Sequence, residues 1–225
     1  MGFIQPGEAA PDFRLQDQHG KTHALRDFRG RAVVMYFYPE DDTPLCTGQA
    51  CQFRDHHQDF AHIKTAVLGV SPQDVASKRA FADRHALAFP LLADVPGADG
   101  VPPTSAAYGA YGEKNMYGRI VRAMLRTTYL IAPDGTVAKR WDRVKTPGHA
   151  AAVLRAATAL HAGELLATRT PKPPKKAPRP RQKTRTQGGH PGYSGVQTSK
   201  GKRTPVRSAA SRAKAPARTR GKRGA

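Results

Sequence analysis

Ala32-Val33-Val34-Met35-Tyr36-Phe37-Tyr38 runs directly into Pro39-Glu40-Asp41-Asp42-Thr43-Pro44-Leu45-Cys46. The first seven residues form a short run rich in β-branched and aromatic types, which reads as a strand buried on both faces. Pro39 to Asp42 ends it. Thr43-Pro44 then has the form of a helix start, with Thr at the N-cap and Pro at the first helical position. That helix carries Cys46 and Cys51 and is expected to reach about Phe60.

Working outward, the same alternation recurs. Thr65–Val70 reads as a second buried strand, and Ser71-Pro72 repeats the cap-then-proline signal before an amphipathic helix to about His85. Phe89–Leu92 is a short strand. Thr127–Ala132, the turn Pro133-Asp134-Gly135 and a strand to about Trp141 form a hairpin. Thr146-Pro147 opens a last helix with Val153, Leu154, Ala157 and Leu160 on one face and Gly163 near its end. Val95–Ala107 is a loop by composition. Strands alternating with helices, closed by a hairpin and a helix, predict an α/β sheet with helices on both faces.

Composition divides the chain in two. Of 37 Lys and Arg, 18 lie in residues 168–225, which hold no Asp or Glu. Residues 1–167 are close to neutral and long enough to bury a core. The remainder lacks Leu, Ile, Met, Phe and Trp and is rich in Pro, Gly, Lys and Arg, so it is expected to be disordered. The expected domains are therefore 1–164, folded, and 165–225, a basic tail. No stretch approaches the roughly 18 apolar residues of a membrane span, and no signal peptide is read at the N-terminus. A reducing, cytoplasmic setting follows from the two cysteines, too few for a disulfide scaffold. His19, His23, His56, His57, His62 and His85 form no ligand grouping, and His149 reads as structural.

Cys46 falls at the third position of its helix. A thiolate there faces unpaired backbone N–H groups and the positive end of the helix dipole. Asp41 and Asp42 oppose it, so a cation must come from elsewhere in the fold. Cys51 is five residues on; across an intact helix the two Cα atoms lie roughly 8–9 Å apart. A disulfide needs about 7 Å or less. Either the thiols stay reduced or the helix unwinds when they join; two unrelated buried cysteines would satisfy the spacing equally.

Tyr36-Phe37-Tyr38-Pro39-Glu40-Asp41-Asp42-Thr43-Pro44-Leu45-Cys46-Thr47 contains the Pro-x-x-x-Thr-x-x-Cys motif of peroxiredoxins. Its continuation Gln49-Ala50-Cys51-Gln52-Phe53-Arg54-Asp55 resembles the peroxiredoxin Q, or bacterioferritin comigratory protein, branch. Phe89-Pro90-Leu91-Leu92-Ala93-Asp94 and Arg126-Thr127-Thr128-Tyr129-Leu130-Ile131 extend the resemblance over about residues 3–160. It implies a thioredoxin-like fold and a thiol peroxidase for hydrogen peroxide and organic hydroperoxides. By that resemblance Cys46 is the peroxidatic cysteine and Cys51 the resolving one, joined in a transient disulfide. Thr43 and Arg126 stabilise the departing oxygen, Pro39 shields the sulfur, and Arg126 offsets Asp41 and Asp42. A thioredoxin-type partner recycles the enzyme, a monomer is the expected form, and no flavin, haem or metal is implied. Leu45 stands where the branch most often has Gly, Gln49 where many members have Glu, and the loop after Asp94 is longer than usual.

The tail is an addition to that pattern. Its charge suits non-specific binding of DNA or RNA by residues 168–225, which would give nucleoid association. Tyr193 is its lone aromatic, so base stacking is minor. The alternative is a nucleic-acid-binding protein whose body is a redox sensor. A general thiol oxidoreductase is disfavoured by the absence of Cys-x-x-Cys.

Overall fold

A computed structural model describes residues 2–116 and 118–163. The strands are β1 (Arg14–Gln16), β2 (Thr22–Ala24), β3 (Ala32–Phe37), β4 (Thr65–Ser71), β5 (Leu91–Ala93), β6 (Tyr111–Met116), β7 (Arg119–Met124), β8 (Thr127–Ile131) and β9 (Val137–Trp141). The helices are α1 (Pro44–Asp55), α2 (His57–His62), α3 (Val75–His85), α4 (Pro103–Ala107) and α5 (His149–His161), with a short 3-10 turn at Leu25–Phe28.

Seven strands form one mixed sheet in the order β2-β1-β5-β4-β3-β8-β9. Strands β3, β4 and β5 are parallel, with Val34 opposite Val67 and Val70 opposite Leu92. Strand β8 runs antiparallel to β3, and β9 antiparallel to β8. Side chains alternate across β3, as the pleat requires. Ala32, Val34, Tyr36 and Tyr38 share one core with Phe53 of α1, Phe60 of α2, Phe81 of α3 and Val153 of α5. Val33, Met35 and Phe37 face a second core with Phe13, Phe28, Tyr108, Met124 and Tyr129. Burial on both faces explains why β3 is apolar throughout rather than alternating.

The topology places the site. Strand β3 ends at Phe37, and Phe37 pairs with Thr127, the first residue of β8. The residue before β8, Arg126, is thereby delivered to the same edge at which α1 begins.

Several expected boundaries move. The helix through Phe60 is two helices, broken at His56 (φ −99°, ψ 10°), although Phe60 still packs beside Phe53 with ring centroids 6.0 Å apart. Ser71 does not cap α3. It closes β4, where its carbonyl accepts from Asp94 N at 3.0 Å, and Asp74 caps the helix by accepting from Ser77 N at 2.8 Å. The last helix starts at His149, after Gly148 in the left-handed region (φ 70°), so Pro147 lies outside it. The stretch Val95–Ala107 is not all loop: it ends in α4. Buried Asp94 fixes that turn, accepting from Thr104 N at 3.1 Å and from Ser105 N and Oγ at 2.6 Å each. Strands β1 and β2 and the separate β6–β7 hairpin are additions to the expected elements. The expected disordered tail, residues 165–225, lies outside the described residues.

Candidate active site

Cys46 sits in the first turn of α1, buried to 2% exposure. The turn's N–H groups have no earlier helical carbonyl to bond, so they and the helix dipole favour negative charge there. Arg126 supplies a cation: its Nη2 donates to Cys46 Sγ at 3.3 Å. Its Nη1 donates to Gln49 Oε1 at 2.7 Å, which holds the guanidinium plane against the helix. Gln49 is itself buried, three residues after Cys46 on the same face. The sequence reading noted it only as a departure from Glu; helical spacing was the signal that it shares a face with the thiol.

Cys51 lies further along the same unbroken helix, half-buried, and both cysteines are free thiols. Gly48 stands between them on the exposed side, where an added Cβ would meet no atom within 4 Å.

Thr43 occupies the N-cap position but makes no side-chain cap bond. Its Oγ1 donates back to Glu40 O at 3.2 Å, across the turn. Pro39 and Leu45 line a cleft of about 610 Å³ with Met124, Leu125, Val144 and Arg126. Leu45 is 64% exposed at this opening. Glu113, Lys114 and Arg143 also line it, so the cleft brings a mixed apolar and charged wall up to the guanidinium that touches the thiol. A larger cleft, about 740 Å³, is lined by Lys21, Arg31, His57 and Lys64 among others and includes neither cysteine nor Arg126.

Arg126 was expected to offset Asp41 and Asp42 as well as to hold the thiol; it lies on the thiol, and the two carboxylates have direct partners of their own on α3. Asp41 is held by buried Lys78, whose Nζ lies 3.1 and 3.0 Å from its two oxygens. Asp42 is held by Arg84 and by His85 Nε2 at 2.8 Å, both from α3. Arg126 is left to Cys46 and Gln49. Lys78, 37 residues from its partner, was absent from the sequence reading, where it is one polar position on a helix.

The neighbouring groups reflect this dry, charged setting. The Tyr36 phenol is pushed well above its usual range by burial first, then by Asp41, Cys46 and Cys51, with Arg126 pulling it back. His149, at the start of α5, shares a 2.9 Å hydrogen bond between its Nε2 and Thr128 Oγ1. Burial first, and Arg126 second, push the imidazole down to about 4. Among the described residues no group of three or more His, Cys, Asp or Glu could hold a metal, and no helix is long and apolar enough to cross a membrane.

Comparison with known proteins agrees with this geometry. The AhpC/TSA family model matches residues 6–140. A putative peroxiredoxin of Mycobacterium tuberculosis is 42% identical over 152 residues, 68% of this chain and 94% of its own length. Peroxiredoxin Bcp of Bacillus subtilis is 37% identical over the same shares of the two chains, 68% and 94%. The solved structure of Xanthomonas campestris peroxiredoxin Q matches with a TM-score of 0.63 at 36% identity, over 71% of this chain and 98% of that one. Alkyl peroxide reduction activity is described for the X. campestris bacterioferritin comigratory protein, which matches at 35% identity and a TM-score of 0.63, over 72% of this chain and 99% of that one. A thiol at a helix start under an arginine, on a thioredoxin-like mixed sheet, in a chain with these relatives, identifies a peroxidase of the AhpC/TSA family, and the chain belongs to that family's peroxiredoxin Q/Bcp branch.

Proposed function

We propose that this chain reduces hydrogen peroxide and organic hydroperoxides through a Cys46 thiolate, and that a Cys46–Cys51 disulfide, reduced by a thioredoxin-type dithiol, completes the cycle. The observation that carries this reading is the 3.3 Å contact from Arg126 Nη2 to Cys46 Sγ. The thiolate attacks the terminal peroxide oxygen; the O–O bond breaks, sulfur becomes sulfenic acid, and the departing oxygen leaves with a proton as water or alcohol. Arg126, the first-turn N–H groups and the Thr43 hydroxyl, turned from Glu40, are the donors for the departing oxygen. Pro39 and Leu45 shape the approach. Cys51 thiol then attacks the sulfenic sulfur and water leaves. Because both cysteines sit on one intact helix, about 8–9 Å apart by helical geometry, the first turns of α1 must open for that step.

Peroxide consumption with thioredoxin, thioredoxin reductase and NADPH tests this. Cys46→Ser should abolish turnover, and Cys51→Ser should retain a single oxidation event. No turnover by the wild type, with thioredoxin or with dithiothreitol, overturns the reading in favour of a redox-sensing body.

The tail is proposed as a second functional unit. With residues 1–164 as the peroxidase, residues 165–225 hold the peroxidase on DNA or RNA without sequence preference, giving a cytoplasmic, nucleoid-associated enzyme. The charge of residues 168–225, 18 cations and no acid, supports this. Duplex DNA affinity should fall with salt at a log–log slope of about −0.9 per phosphate contacted. Deleting residues 168–225 should remove it; unchanged affinity at low salt would rule out the tail.

A further inference from the structure

Lys78 is fully buried at 0% exposure, on α3, away from both cysteines' helix. A lysine in that position needs partners, because burial pushes its ammonium down from its usual range while Asp41 pulls it up. Its Nζ donates to Asp41 Oδ1 at 3.1 Å, to Asp41 Oδ2 at 3.0 Å and to Ser71 Oγ. The same carboxylate accepts from Tyr38 OH and Ser77 Oγ, each at 2.7 Å. One carboxylate in the loop between β3 and α1 is therefore tied to β4, to α3 and to the end of β3. Gln73 Nε2 adds a bond to Pro39 O at 3.4 Å.

Stability alone is a weak reason for such an arrangement. Desolvating two charges costs several kcal/mol per ion, and apolar residues of similar volume often do as well or better. The pair does have a neighbour on which its charges act. Tyr36 and Tyr38 are buried in one core with Cys46, their rings are 5.4 Å apart, and the Tyr38 hydroxyl donates to Asp41, so the pair and the thiol border one poorly screened region. The charged and titratable groups around Cys46 are Arg126 before β8, in contact with it, and Tyr36 of β3 in the same buried core; Asp41 in the loop and Lys78 on α3 lie beyond Tyr38, Cys51 is five residues along α1, and His149 of α5 feels Arg126.

We propose that Lys78 is a positioning residue for the Cys46 reaction: its ammonium cancels the Asp41 charge inside the protein and, through that carboxylate, holds the Pro39–Thr43 loop from which helix α1 starts. This rests on Cys46 being the reacting thiol. Without the ammonium, a bare carboxylate would oppose the thiolate; without the carboxylate, a bare ammonium would favour it. The two single substitutions must then act in opposite directions.

The test is the pH profile of Cys46 alkylation by iodoacetamide, in the full-length Cys51→Ser protein. Lys78→Met should raise the midpoint by about one pH unit, the size of shift an unscreened neighbouring charge produces, and slow oxidation by hydrogen peroxide below that midpoint about tenfold. Asp41→Asn should lower the midpoint, and the double variant should return towards the parent. A role in packing alone would move both single variants the same way or neither, and either result overturns the proposal. If thermal melting shows Lys78→Met unfolded, the direction of the Asp41→Asn shift decides alone. Alkylation needs no peroxide chemistry. Opposite shifts without peroxide consumption would sink the peroxidase reading only; peroxide consumption without shifts would sink this one only.

Discussion

Arg126 and Cys46, 80 residues apart in sequence, meet through a hydrogen bond of 3.3 Å because β8 starts where β3 stops. The contact is a charge-assisted donor at the sulfur, placed before any substrate arrives. Truncating it in Arg126→Ala should lower the second-order rate of Cys46 oxidation by about 10²–10³-fold, the usual loss for one preorganised donor. Arg126→Lys should recover only part, since an ammonium cannot serve Cys46 and Gln49 as a fork does. Stopped-flow oxidation with hydrogen peroxide reads both.

The buried His149 makes stability fall on the acid side. Its folded-state value of about 4 lies below the ordinary 6.5, so between those values the unfolded chain binds the extra proton. The neutral ring's contribution is complete above about pH 6.5 and is lost as pH falls towards 4. A shift of that size corresponds to about 3 kcal/mol. Urea unfolding of His149→Gln should lack this part of the slope between pH 6.5 and 4; an unaltered slope would assign it to other groups.

Joining the cysteines should cost helix. Far-UV circular dichroism at 222 nm should fall when the protein is oxidised by one equivalent of peroxide and return on reduction. The Cys51→Ser protein should show no such change. An oxidised protein with a Cys46–Cys51 bond and full helical signal would contradict the helical distance argument.

Gly69 leaves no room for a side chain between β3 and β5. Tyr36 and Leu91 flank it in register, and an added Cβ would sit 2.7 Å from Tyr36 OH and 2.8 Å from Leu91 Cδ2. Gly69→Ala should destabilise by about 1–3 kcal/mol, as overpacking does. The Tyr36 hydroxyl is buried with no hydrogen-bond partner among the described residues, so Tyr36→Phe alone should be neutral to stabilising by up to about 1 kcal/mol. In the double variant only the hydroxyl's part of the alanine penalty should disappear, leaving the shares of the ring Cζ and Leu91 Cδ2, each 2.8 Å from the added Cβ. Denaturant melts of the four proteins give the comparison.

What could be read from the sequence follows physical range. Strand β3 and the start of α1 were legible because an apolar run and a Thr-Pro signal are local. The β6–β7 hairpin was not, because Arg119, Ile120, Val121 and Arg122 are all exposed and give no alternation between core and solvent. The short α4 depends on Asp94 bonding backbone ten residues ahead, a tertiary device with no periodicity. At the site, the need for a cation beside Cys46 was legible, and the motif pointed to Arg126. How the charges divide was not: Lys78 for Asp41, Arg84 and His85 for Asp42, Arg126 for the thiol. Pairings across three elements leave no trace in spacing.

Gly48 gives this helix an adjustable speed. It lies between the two thiols, exposed and with open space around it, so nothing in the packing asks for a glycine. Its presence weakens the helix by roughly 0.5–1 kcal/mol relative to alanine. In the proposed cycle, which would melt and rebuild these turns at every turnover, that weakness would set a rate. An engineer who chose Gly48→Ala to gain heat resistance would stiffen the segment that the proposed cycle loosens, and the gain in melting temperature would be matched by slower disulfide formation.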